Sequence, residues 1–152
     1  MANEFVKKEV KKIFEKESDS SKAAALASAW IIANYKGINI KAYDVKESSS
    51  LCDFNLIATA NNTTQAKTMA DEIQYNIKQN GGTILSVEGL SDCEWVLIDS
   101  GDVIIHIFQD ISRDVFDLDS LWHEYEQLEI PSEYYFSHPE MKDNEESTQN
   151  YF

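Results

Sequence analysis

The residues of this chain whose types could do chemistry gather in one stretch, Trp95-Val96-Leu97-Ile98-Asp99-Ser100-Gly101-Asp102-Val103-Ile104-Ile105-His106-Ile107-Phe108. Asp99 and Asp102, with Asp44 from an earlier apolar run, could imitate the closely spaced carboxylates that hold two metal ions for nucleotidyl transfer. The spacing argues against that use. The two aspartates fall across a turn rather than side by side on a strand, no Gly-Ser phosphate-binding turn precedes them, and few basic residues are at hand for a triphosphate. His106, set inside an apolar strand, reads as a satisfied structural residue rather than a proton carrier. There is no GxSxG, no SxxK and no cysteine followed by a credible base. The five glycines never assemble GxxxxGK or GxGxxG.

The element that must position these residues is a β-hairpin. Two runs rich in β-branched residues flank Ser100-Gly101, which reads as a two-residue turn. Counting outward sets Asp99 opposite Asp102, Ile98 opposite Val103, Leu97 opposite Ile104, Val96 opposite Ile105 and Trp95 opposite His106. Because side chains alternate, Val96, Ile98, Val103, Ile105 and Ile107 share an aliphatic core face. The other face carries Trp95, Leu97 and Asp99 with Asp102, Ile104 and His106. Two like charges directly opposite should destabilise the pair, and such local conflicts often mark functional sites. The bland alternative is a pair of solvated turn aspartates beside a half-buried tryptophan.

Around this hairpin the spacing predicts a helix over residues 4–17 and a second over 21–35, the latter capped from Ser18-Asp19-Ser20-Ser21. Strands follow at 38–45 and 54–60. Asn61-Asn62-Thr63-Thr64 then opens a helix over 63–80, with Ala66, Met69, Ala70, Ile73 and Ile77 on one face and Gly81-Gly82 as its end. A short strand covers 84–87. Beyond Phe108 a polar turn with Arg113 and Asp114 is expected. A last amphipathic helix starts at Asp117, carries Leu118, Leu121, Trp122, Tyr125 and Leu128, and is stopped by Pro131. The fold class is α/β, a mixed sheet of about five strands flanked by helices. Residues 1–20 read as a helical extension, 21–130 as the domain, and 131–152 as an acidic tail whose composition from Ser137 onward predicts disorder.

The chain has 152 residues, 43% of them hydrophobic, and a formal net charge of −14. That charge argues against a phosphate-backbone binder, DNA included, and favours a basic protein partner or simple solubility. Cys52 and Cys93 stand in no CxxC arrangement and read as free thiols of a reducing compartment. His106, His123 and His138 lack the spacing of zinc ligands, so neither metal nor cofactor is expected. No apolar run nears the ~20 residues of a membrane span, and the first eighteen residues fit no secretory or transit signal. A cytoplasmic protein is expected.

Val87-Glu88-Gly89, the hairpin stretch, and Asp117-Leu118-Asp119-Ser120-Leu121-Trp122 closely resemble the ribosomal silencing factor (Iojap-related) family. Its pattern reads VEG, then WVLIDYGDVVVHVF, then R-x-YYDLExLW. Asp53-Phe54-Asn55-Leu56-Ile57-Ala58-Thr59-Ala60-Asn61 resembles its DYFVIASGN segment, and Gln65-Ala66-Lys67-Thr68-Met69-Ala70-Asp71-Glu72 its QVxAIADE helix. The likeness runs through about residues 38–122 in one order. It implies a nucleotidyltransferase-like topology without the catalytic set, hence no enzyme. It also implies a factor that binds the large ribosomal subunit through large-subunit protein fourteen, blocks joining of the small subunit and represses translation. The resemblance puts contact residues at Trp95, Asp99 and position 100 (here Ser100), and the hairpin face that carries them adds Asp102 and His106 to the expected partner-binding set, with self-association into a homodimer also open. An assembly chaperone for the same subunit is the alternative. Ser100 departs from the family's usual aromatic or leucine, Ala60 from its glycine and Thr64 from its arginine.

Overall fold

In the computed structural model of the chain, which describes residues 3–136, the sheet is built around β2 (Phe54–Ala60), all seven of whose residues are buried. A strand that is apolar on both faces belongs at the centre of a sheet, between neighbours and beneath covering layers. β2 runs parallel to β5 (Val103–Gln109) and antiparallel to β1 (Ile38–Asp44). β4 (Trp95–Asp99) and β3 (Ser86–Glu88) extend the sheet on the β5 side. β6 (Gln127–Leu128) closes the β1 side, giving six strands in the order β3-β4-β5-β2-β1-β6.

One face is the main core. Val96, Ile98, Val103, Ile105 and Ile107 from the hairpin meet Phe54, Leu56, Ala58 and Ala60 of β2 beneath α2 (Ser20–Asn34) and α3 (Thr63–Gln79). Asp19 caps α2 by accepting from the Ser21 and Lys22 amides, and Asn62 caps α3 by accepting from Gln65 N at 2.8 Å. α2 is buried almost all round, which a helix tolerates only when layers lie on both sides. Its outer side is covered by α1 (Glu4–Lys16), through the fully buried Val6 and Val10, and by a 3-10 turn, η1 (Ser132–Phe136). The Phe5 and Trp30 rings meet at 5.7 Å. The stretch just after Pro131, expected in the tail, is therefore η1; the expected tail from Ser137 lies outside the described residues.

The opposite face carries a smaller cluster of Tyr43, Val45, Cys52, Ile57 and Phe108, with Trp95, Ile104, Leu118 and Trp122 packed on it. Here the structure corrects the expected elements. In place of a polar turn there is a helix, α4 (Asp110–Phe116). In place of one long helix from Asp117 there is a five-residue α5 (Leu118–Trp122), then β6. The Asp117 side chain does not cap α5; its backbone N–H instead closes α4 by donating to Arg113 O, and it takes a left-handed conformation (φ 47°) as the turn between α4 and α5.

Candidate functional site

The hairpin turn is one position further along than the sequence suggests. Trp95 pairs with Phe108, Leu97 with His106, and Asp99 with Ile104, so Gly101 and Asp102 are the central turn residues. Gly101 has φ +91°, the composition and backbone sense of a tight hairpin turn with glycine first. A slip of two residues leaves each side chain on its expected face while changing every partner. The expected clash of Asp99 with Asp102 therefore does not arise. Asp99 Oδ1 accepts from Gly101 N at 2.9 Å, and Ser100 Oγ donates to Val103 O at 2.6 Å, so both side chains build the turn. Asp44, the third carboxylate of the metal reading, pairs with Lys46 at 3.7 Å. Among the described residues, no three of His, Cys, Asp or Glu are grouped to hold a metal ion.

Trp95 and His106 do come together. They lie diagonally across the ladder, within reach of long side chains, and the indole Nε1 donates to His106 Nδ1 at 3.2 Å. That donor fixes the tautomer: with Nδ1 accepting, Nε2 carries the proton and donates to Asn55 Oδ1 at 3.1 Å. Asn55 Nδ2 in turn faces Cys52 Sγ at 3.6 Å. The imidazole is only 4% exposed, and burial pushes its pKa down to about 4. His106 therefore presents no polar edge outward; it orients the tryptophan from behind. The Trp95 ring also stacks on Phe108 at 5.0 Å and leans on Phe116 at 4.7 Å.

Trp95 is fixed from its backbone as well. Gly89, the glycine of Val87-Glu88-Gly89, has φ +87°, and a Cβ built there would come within 1.9 Å of the Trp95 carbonyl oxygen. The glycine is needed because two backbones approach too closely for any side chain. Asp99, Ser100 and Asp102 sit at the far end of β4, about 13 Å along the strand from Trp95. There Ser100 and Asp102 line a cleft with Ser20 and Ser21 of α2 and the Gly81-Gly82 end of α3. The five expected contact residues thus form two groups, not one.

The sequence reading did not find the residues that complete the Trp95 face. Ile111, Val115 and Phe116 of α4, and Leu121 of α5, are large apolar side chains between 50% and 79% exposed. Ile111, Val115 and Phe116 line one cleft, and Phe116 meets Trp95. Tyr43 and Trp122 rings meet at 5.9 Å, and Trp122 lies 5.6 Å from His106. Beneath them Arg113 is buried and hydrogen-bonded to Asp119 through Nε at 3.0 Å and Nη2 at 3.1 Å. Burial alone would raise the Asp119 carboxyl, but Arg113, then Tyr43 and Lys41, outweigh it and hold it below the usual carboxylate range. The signal that was present is the arginine six residues before an acid in R-x-YYDLExLW.

The six-stranded mixed sheet flanked by helices is also the fold of a solved Chromobacterium violaceum protein. That crystal structure is 30% identical, with a TM-score of 0.63, covering 76% of this chain and 91% of its own. The family is identified by sequence. The chain belongs to the family described as Ribosomal silencing factor during starvation, whose model matches residues 17–151. It is 34% identical over 91 residues to Ribosomal silencing factor RsfS of the same bacterium, covering 60% of this chain and 75% of that protein. It is likewise 34% identical over 84 residues to the Bacillus subtilis protein of that name, covering 55% and 71%.

Proposed function

We propose that this protein docks on the large ribosomal subunit through large-subunit ribosomal protein fourteen, and that its bulk keeps the small subunit from joining, so that translation is repressed in the cytoplasm. The observation that carries the reading is the set of exposed apolar side chains on α4 and α5, Ile111, Val115, Phe116 and Leu121, with Phe116 against the oriented Trp95. Contiguous exposed apolar surface rimmed by polar residues marks interaction sites, and aromatic anchors dominate their energetics. The net charge of −14 suits a basic ribosomal protein and speeds encounter with it. Asp99 and Asp102 at the hairpin end contribute charge, and Ser100 a polar hydroxyl, at the rim, whereas His106 acts through Trp95. The reading needs no catalytic residue and no cofactor.

The test is sucrose-gradient sedimentation of purified large subunits with the protein, before and after small subunits are added. Comigration with large subunits and fewer joined ribosomes, both lost in Trp95→Ala, is the expected result. Comigration with joining intact would leave the assembly-chaperone reading instead. No comigration would remove the ribosomal partner altogether.

A further inference from the structure

The docking surface is not part of the regular sheet; it rides on two short helices, α4 and α5, too short to hold their own shape. Something must fix their approach to the strands. We propose that Arg113 is the positioning residue of the docking face, acting as a buried clasp that sets where Phe116 and Trp122 lie over the Trp95–His106 pair. This inference rests on the docking reading above for its functional consequence, and on the geometry alone for its structural one.

From α4 the guanidinium engages partners on three other elements. Nε and Nη2 grip both oxygens of Asp119 on α5, and Nη1 donates to Thr59 Oγ1 of β2 at 3.0 Å and to the Asn39 carbonyl of β1. Asp119 Oδ1 also accepts from Tyr43 OH at 3.0 Å and lies 3.9 Å from Lys41 Nζ. The backbone is bent to serve this cluster. β1 shifts register between Ile38 and Lys41, with Asn39 left-handed at φ 53°, and that bulge holds the Asn39 carbonyl toward Arg113. Asp117 is the second left-handed residue, where the chain reverses so that Asp119 can return to Arg113; Ser120 Oγ ties it at 2.6 Å to Asp117 Oδ2. Asparagine and aspartate tolerate that conformation best among residues with a side chain.

Each half of the clasp therefore shares a short helix with one of the rings it would align. Phe116 is three residues beyond Arg113, and Trp122 three beyond Asp119. A planar fork meets four acceptors in fixed directions; a lysine ammonium carries the same charge on one atom and cannot. A buried network with one donor set removed leaves the remaining acceptors unpaired, and the surrounding segment must move to find water for them.

The experiment compares the parent with Arg113→Lys, Asp119→Glu and Ile73→Val. The last is a core change on the opposite face of the sheet that serves as a stability control. Each is measured for thermal midpoint, for the 19F spectrum of fluorotryptophan-labelled protein, and for sedimentation with large subunits. The proposal expects Arg113→Lys to unfold cooperatively yet shift or broaden the Trp95 and Trp122 signals and weaken subunit binding at least tenfold. Asp119→Glu, which keeps the carboxylate and has the family's usual residue, should restore both to near the parent. Ile73→Val should lower the midpoint without moving either readout. Unchanged tryptophan signals in Arg113→Lys would overturn the clasp. So would a binding loss shared equally by Ile73→Val, since that would be lost stability alone. If the parent itself fails to bind, the docking reading falls, and the 19F spectra still decide whether Arg113 orders the rings.

Discussion

Trp95 and His106 are hydrogen-bonded at 3.2 Å although neither faces the other across the β4–β5 ladder. The bond requires an unprotonated Nδ1, because a second proton would set two donors against each other. Burial already favours the neutral ring, with a pKa of about 4 against an ordinary 6.5.

A pH dependence follows from that difference. Between pH 6.5 and 4 the unfolded chain takes up the histidine proton and the folded chain does not, so stability rises with pH across this window and is lost as pH falls through it. The full swing from this one group is roughly 3 kcal/mol. Urea midpoints measured from pH 7.5 down to 4 should fall, and the slope between 6.5 and 4 should be shallower in His106→Gln than in the parent. Equal slopes would mean that the imidazole titrates freely.

Gly89 and Gly81 have nearly the same positive φ, +87° and +88°, but a side chain at Gly81 would meet nothing within 4 Å. Gly81→Ala should therefore cost only the backbone preference, about 1 kcal/mol. Gly89→Ala must also push the Trp95 carbonyl, and β4 with it, away from residue 89, and should cost ~3 kcal/mol while disturbing the indole environment. Denaturant unfolding of the two variants side by side, read by tryptophan fluorescence, checks the difference.

Val115 and Leu121 make exposed surface rather than core. Val115→Ser and Leu121→Ser should leave the unfolding free energy within about 0.5 kcal/mol of the parent. Each should weaken large-subunit binding several-fold, by about 1 kcal/mol, if the surface is the contact. Quantitative pelleting with large subunits measures this. Unchanged binding in both would move the contact away from α4 and α5.

Much of this was legible because burial repeats at the period of the element. β2 appeared at its true bounds as a short, mostly apolar run, and α3 as a stripe from Ala66 to Ile77 between an asparagine cap and a glycine end. The hairpin faces survived a misplaced turn since the register slip was two, an even number. α4 stayed hidden for the converse reason. Its apolar residues Ile111, Val115 and Phe116 point to solvent while Arg113 points inward, so the usual amphipathic pattern is inverted. The long helix expected after Asp117 failed where Leu128 found a partner in Ala42 of β1, a pairing no local pattern records. The candidate site was half legible: Trp95 and His106 meet, whereas Asp99, Ser100 and Asp102 belong to the turn.

α1 lies outside the matched family region, yet Val6 and Val10 are fully buried against the core. A chain starting at residue 17 should lose on the order of 3 kcal/mol of stability from the uncovered apolar area. It should also bind more hydrophobic dye than the full chain does. Thermal unfolding and dye fluorescence of the shortened chain are the checks; an unchanged midpoint would show that α1 adds nothing to the fold.

The two outer strands of the sheet are stubs, three residues in β3 and two in β6. An open strand edge is a template on which another chain can crystallise its own backbone, and long flat edges seed fibrils. Here each rim offers too few free amides and carbonyls to register a visiting strand. Polymer growth along the hydrogen-bonding direction is thereby denied a starting point, even though the sheet's broad flank is sticky. A molecule with such edges can expose an apolar flank without offering a strand for another chain to extend.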